Sequence, residues 1–295
     1  MFARKLGRAV GCCLLLLPML GHVAEVTENS LAIERPWVLG ISAQVDDERN
    51  DGFFASFNWG VASRTWLAAA IGRSRSPQNR ADVVADAATI GIDHDFGPIG
   101  LMFDLERWGE SGALDTEAFN ATVYVQKPAF RIGLRHANRD IEIGFTATGP
   151  LGRTVSRTAA LSSTSVELSA RVRLAERWQL YASHVEVDYS RNLELLPRID
   201  ALNWLGTSAL TLAYSFIDTR STFGFERQAG SRVIRLDMGR HESAVDHAQF
   251  RSIDAAMLFP VGVRLDLEVH VGRSQSDRAA DGLYGGLSLL IYGGR

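Results

Sequence analysis

The sequence predicts an all-β chain: a closed, antiparallel β-barrel that crosses a membrane with about 14 strands, within a range of roughly 12–16. Three observations carry this. Apolar and polar residues alternate with a strict period of two, connections alternate between short and long, and aromatic residues gather beside the short ones. A period of two is the mark of a strand whose faces meet different surroundings, because successive side chains point to opposite faces.

The elements follow in order. WVLGISAQV (37–45) puts Trp37, Leu39, Ile41, Ala43 and Val45 on one face, and FFASFNWGV (53–61) does the same with Phe53, Ala55, Phe57, Trp59 and Val61. A run at 64–74 precedes ATIGIDHDF (88–96), where Ile90, Ile92, His94 and Phe96 oppose Thr89, Gly91, Asp93 and Asp95. Runs at 99–107, 119–126, 129–138, 164–174, 178–189, 207–217, 221–228 and 248–258 lead to VGVRLDLEVHVG (261–272) and a last strand at 282–292. In 261–272 the odd positions from Val261 to Val271 are apolar, and the even ones include Arg264, Asp266, Glu268 and His270. IEIGF (141–145) and RVIRLDM (232–238) also alternate, and each reads either as a further strand or as part of an outer hairpin.

Hairpin registers test the pattern. A two-residue turn at Gly97 and Pro98 sets Asp95 opposite Gly100 and Asp93 opposite Met102. A turn at Lys127 and Pro128 pairs Val125 with Phe130, and a three-residue loop near Phe259 and Pro260 pairs Met257 with Val261. Each keeps apolar facing apolar and the wetter parity facing itself, except at Met102, and a one-residue slip would destroy this. Short connections fall near 62, 97, 127, 176, 218 and 259; long polar ones occupy 46–52, 75–85, 108–116, 139–163, 190–206, 229–247 and 273–281.

Residues 1–24 form a separate unit: Arg4, Lys5 and Arg8 precede the apolar run AVGCCLLLLPML, and Ala24 stands at the expected cut of a secretory signal peptide. Residues 25–36 are a polar lead-in, and 37–295 the barrel. Both cysteines, Cys12 and Cys13, lie in the signal, so the mature chain holds neither a disulfide nor a cysteine metal site. Its removal leaves 28 basic against 34 acidic residues, a net charge of −6 that argues against nucleic-acid binding.

Strands of about 9–11 residues suit a tilted membrane crossing. Trp59, Trp66, Phe96, Phe130, Trp178, Phe216 and Phe259 lie near short turns and would form an interfacial girdle. On these features the chain resembles the bacterial outer-membrane β-barrel proteins of porin-like type, over essentially residues 37–295 and by pattern rather than motif. The resemblance implies an outer-membrane location in a Gram-negative cell, contact with outer-membrane lipid and lipopolysaccharide, and assembly by the barrel assembly machinery. Such proteins commonly end in an aromatic residue; this chain ends IYGGR, with Tyr292 three places before Arg295.

The resemblance also implies a polar lumen. Its expected lining is Asp93, Asp95, Asp104 and Glu106 from two adjacent strands, Arg131, Arg135, Arg171 and Arg173 from two later ones, and Arg264, Asp266, Glu268 and His270. An acidic and a basic wall facing each other would set a transverse field that sorts solutes by charge; pairing between them would instead stiffen the barrel. DDERNDG (46–52) lacks the ligand spacing of a calcium loop, and RSRSPQNR (73–80) reads as a solvated loop within reach of lipopolysaccharide phosphates. No G-x-S-x-G is present, and the adjacent Ser183 and His184 point to opposite faces, so no catalytic residue and no cofactor or metal site is assigned. The function expected is passive passage of small polar or charged solutes, or export of a polymer; the alternatives are a lipid-acting barrel enzyme, whose dyad would have to be assembled from distant strands, and a soluble periplasmic β-sandwich binding module.

Overall fold

The computed structural model describes residues 37–47, 49–77, 82–110, 112–148, 154–191, 216–245, 247–277 and 281–293; the signal segment and the lead-in lie outside them. Its fourteen strands are β1 (Trp37–Asp46), β2 (Asp51–Ala62), β3 (Thr65–Ser76), β4 (Val83–Asp95), β5 (Ile99–Glu110), β6 (Leu114–Lys127), β7 (Phe130–Thr148), β8 (Thr154–Ala175), β9 (Trp178–Tyr189), β10 (Ile217–Ala229), β11 (Arg232–Ser243), β12 (Gln249–Gly262), β13 (Leu265–Ser276) and β14 (Gly282–Gly293). Each pairs antiparallel with its chain neighbours. The barrel closes where β14 meets β1, from Trp37↔Gly293 to Asp46↔Tyr284. Closure removes the unpaired edges that an open sheet would present.

The count agrees with the expectation, but one strand differs. RVIRLDM opens β11, inside what reads as a long connection, while the run at 207–217 lies almost wholly outside the described residues. The short turn expected near 218 is accordingly at Gly230 and Ser231, with Gly230 at φ 67°. IEIGF belongs to β7, which with β8 makes a hairpin of 19- and 22-residue strands, longer than the others.

Two hairpin registers also move. The turn after β6 is Pro128 and Ala129, so Val125 pairs with Ile132 and Lys127 with Phe130. The turn after β12 is Val263 and Arg264, so Met257 pairs with Val269 instead of Val261. Both displacements are even, two residues in one hairpin and eight in the other, and an even slip leaves every side chain on its original face. The Gly97–Pro98 hairpin has the expected register, Asp95↔Gly100 and Asp93↔Met102.

The apolar parity faces outward. Ile71, Ile90, Leu105, Leu134, Leu168, Val271 and Leu287 are all more than half exposed or close to it, whereas Asn120, His270 and Tyr292 on the other parity are buried. A water-soluble barrel has the opposite arrangement. So large a continuous apolar surface is stable when a bilayer covers it.

Inside, large rings lie over glycines on the paired strand. Tyr124 covers Gly100, Tyr181 covers Gly224 and Tyr284 covers Gly272, and a Cβ on any of these glycines would sit 2.0–2.3 Å from the ring. Glycine is required there by the close approach of the tyrosine, which in turn shields bare backbone.

Candidate functional site

The inward parity supplies a polar lining organised as short-range pairs. Asp93 and Asp95 of β4 accept hydrogen bonds from Tyr124 Oη (2.8 Å) and Gln126 Nε2 (2.9 Å). Asp104 of β5 accepts from Asn120 Nδ2 (2.5 Å) and from Arg135 Nη2 (3.3 Å), whose guanidinium also reaches Glu167 at 3.9 Å. The acidic and basic sets therefore do not stand on opposite walls. Only β6 separates β5 from β7, and the short Asn120 and Thr122 let Arg135 cross it.

Arg131, Arg171 and Arg173 lie toward the short turns. Arg131 and Arg171 are directly opposite each other, a like-charge pair that would repel. Each is placed over a tyrosine ring, Arg131 at 3.8 Å from the Tyr124 centroid and Arg171 at 5.5 Å from that of Tyr181, where the ring face attracts a cation. Arg173 is exposed near the end of β8.

A second cluster occupies β11 to β13. Arg235, whose side chain is 11% exposed, donates to Asp237 Oδ2 at 2.9 Å and contacts Glu268 Oε2 at 3.4 Å. Small Ala256 on the intervening β12 leaves it room to pass. Tyr181 Oη donates to Asp237, and Tyr292 Oη donates to Asp266 at 2.7 Å. His270 is buried on the same side, 3% exposed, against Gly286, where a Cβ would come within 2.5 Å of the ring. Arg264 departs from the expected lining: it sits in the Val263–Arg264 turn, exposed, because the hairpin reverses four residues later than the sequence suggests.

Sequence reasoning missed three of these groups. Arg235 and Asp237 fall in the stretch assigned to a long connection, although the alternation of RVIRLDM carried their signal. Arg220 falls beside the turn expected at 218; in the structure it is half-buried on the inner parity of β10, within electrostatic reach of Glu167, Arg135, Arg139 and Glu106.

Apolar inward clusters close parts of each mouth. At the short-turn end Val38, Leu258, Leu290 and Tyr292 pack together; at the other end Leu114, Ile141, Ile143, Leu161 and Phe216 do so. Phe216 was expected in the girdle. It is instead 1% exposed and packs edge-on against Tyr189, because the turn thought to lie beside it is twelve residues further on. Trp66 also departs: it shares the inward parity of β3 with buried Ala70 and Ser74. Trp59, Phe96, Phe130, Trp178 and Phe259 do lie outward at the short-turn end, and Trp37 joins them beside Trp59.

Toward the long connections the outer face turns from apolar to charged. Arg73–Asp86, Arg75–Asp51, Arg107–Asp115 and Arg273–Asp281 form exposed ion pairs there. Asp281, in the connection ahead of β14, is held below the usual carboxylate range by its hydrogen bond from Arg273. The apolar band thus ends in an aromatic rim on one side and a charged collar on the other.

No protein-family model and no curated protein sequence matches the chain. Solved structures do resemble it. The CymD monoaromatic hydrocarbon channel superposes with a TM-score of 0.53 at 8% identity, covering 89% of this chain and 90% of that one. A loop-deletion form of OmpT, an outer membrane protein of Vibrio cholerae, gives 0.50 at 8% identity over 87% and 98% of the two chains. OmpT expressed in the outer membrane gives 0.50 at 6% over 87% and 97%. Identities this low report fold alone, and the fold of this chain is a closed fourteen-strand antiparallel barrel.

Proposed function

We propose that the protein is exported by residues 1–24, inserted among outer-membrane lipid and lipopolysaccharide by the barrel assembly machinery, and conducts small polar or charged solutes passively. The observation that carries this reading is the inversion of the barrel: an apolar exterior around a lumen lined by Asp93, Asp95, Glu106, Arg131, Arg171, Arg220 and their partners. The similarity to a monoaromatic hydrocarbon channel supports passage of a solute in general. The charged lining favours a more polar one than an unsubstituted aromatic. No energy-coupling domain is needed for such a path.

Because Arg131, Arg171 and Arg173 sit on or near the short-turn mouth, they set the potential that an entering ion meets. Replacing all three by glutamine is expected to shift the reversal potential in a planar bilayer under a salt gradient toward cation selectivity. Asp93→Asn with Asp95→Asn shifts it the other way. Both shifts shrink between 0.1 M and 1 M salt, as the screening length falls from about 10 Å to about 3 Å. A folded, inserted wild type without conductance contradicts the channel reading.

A further inference from the structure

His184 faces away from Ser183, as an adjacent residue on a strand must, but it meets a different serine. On the outer wall Ser221 of β10 is the direct register partner of His184 on β9, and His184 Nδ1 lies 2.8 Å from Ser221 Oγ. The other ring nitrogen, Nε2, lies 3.4 Å from Glu186 Oε1, two residues further along the same face of β9. One tautomer satisfies both contacts. With its proton on Nε2, the imidazole donates to Glu186 and leaves Nδ1 to accept the Ser221 hydroxyl proton. A nucleophile, a base within hydrogen-bond reach of it, and an acid orienting the base are the parts of a serine hydrolase, recognised by geometry rather than chain order.

The position indicates the substrate. The constellation stands where the outward face of β9 to β11 turns from apolar to charged: Ala182, Phe223 and Met238 lie one ladder row below His184 and Ser221, Asp188, Thr219 and Glu242 lie toward the long connections, and Leu168 and Val166 of β8 flank it, level with His184 and Glu186. The same ladder row continues from Ser221 to Arg240 on β11 and Arg251 on β12, both exposed. Directly opposed residues have Cβ atoms about 4.5–5.5 Å apart, so a guanidinium stands one strand from the serine and a second two strands away. Arg240 Nη2 is steadied by Gln249 Oε1 at 3.1 Å. Because the arginines share the serine's row, a lipid whose ester carbonyl reaches Ser221 has its anionic head group within reach of Arg240 and Arg251.

We propose that Ser221, His184 and Glu186 form a hydrolytic site on the outer wall that cleaves an acyl ester of an anionic membrane lipid, separate from the lumen and independent of the channel reading. Ser221 Oγ attacks the acyl carbonyl carbon as its proton passes to His184 Nδ1. The tetrahedral intermediate collapses with cleavage of the acyl C–O bond, and His184 returns the proton to the departing alcohol oxygen. Water, deprotonated by His184, then splits the acyl–Ser221 ester, releasing the fatty acid and restoring the hydroxyl. Glu186 acts as a positioning residue through His184, and Arg240 and Arg251 hold the phosphate.

The test uses the purified, refolded full-length barrel and two probes: vesicles of phosphatidylethanolamine with phosphatidylglycerol, and purified lipopolysaccharide. Fatty-acid release is measured by mass spectrometry, and a fluorophosphonate reports covalent capture of Ser221. The wild type releases fatty acid from one probe or both, and the active probe identifies the lipid source. Ser221→Ala and His184→Asn lower the rate on the order of 10³-fold or more while the heat-modifiable gel mobility of the folded barrel is kept. Glu186→Gln lowers kcat and the fluorophosphonate labelling rate with KM unchanged, and Glu186→Asp restores part of both. Arg251→Ala raises KM. A folded wild type that releases no fatty acid from either probe and takes no label on Ser221 overturns the proposal, as does release that survives in Ser221→Ala.

Discussion

Val269→Arg destabilises the folded barrel by about 2–4 kcal/mol, a shift of roughly 30- to 1000-fold in the folding equilibrium. Val269 is outward on β13, 40% exposed, with Met257 and Leu287 as its cross-strand neighbours. It sits midway along the apolar run from Leu265 to Val271, so an arginine there must leave its guanidinium in hydrocarbon or drag water and head groups inward. Leu265→Arg on the same face is the depth control. Leu265 follows the Val263–Arg264 turn directly, and near an interface the same substitution costs only about 0–1 kcal/mol. The check is the urea midpoint of reversible folding into phosphocholine vesicles for the two variants and the wild type. Equal midpoints for both variants would remove the hydrocarbon from this face.

Arg235→Leu is expected to cost about 3–5 kcal/mol, the penalty for breaking a buried ion pair from one side. The guanidinium is the cation held between Asp237 at 2.9 Å and Glu268 at 3.4 Å, with Asp254 also in its field, and all three side chains of the contact are less than a quarter exposed. Without it, carboxylates on three adjacent strands repel one another in a confined space. The same urea titration reads the loss. Adding Glu268→Gln to Arg235→Leu recovers part of it, because one stranded charge is gone; a double variant no more stable than the single would mean that packing, not charge, is what Arg235 supplies.

The parity of each strand was legible in the sequence because the two faces meet opposite solvents, and that signal survives every even error in register. The displaced turns after β6 and β12 show this: the pairing partners changed, yet Val125, Met257 and Val269 kept their outward side. Turn positions were less legible. Pro260 reads as a turn residue, but it lies within β12, paired with Asp266 immediately before a bulge. Those local errors had site-level consequences: they put Arg264 in the lining and Phe216 in the girdle, and left Arg220 and Arg235 out. The ion-pair network and the Ser221–His184–Glu186 contact join residues from different strands. Alternation shows which side of the wall such residues occupy, but their meeting depends on which strands pair and in which register.

Outward residues of β13 touch lipid while their neighbours face the lumen. With both cysteines confined to residues 1–24, a chain beginning after the signal carries none, so single cysteines at positions 265–271 can be spin-labelled without background. Collision rates with oxygen, which concentrates in hydrocarbon, and with a polar nickel chelate are then measured in vesicles. The expected result is a period of two, with oxygen collisions peaking at 265, 267, 269 and 271 and falling at 266, 268 and 270. A flat profile, or peaks on the even positions, would contradict the barrel's orientation toward lipid.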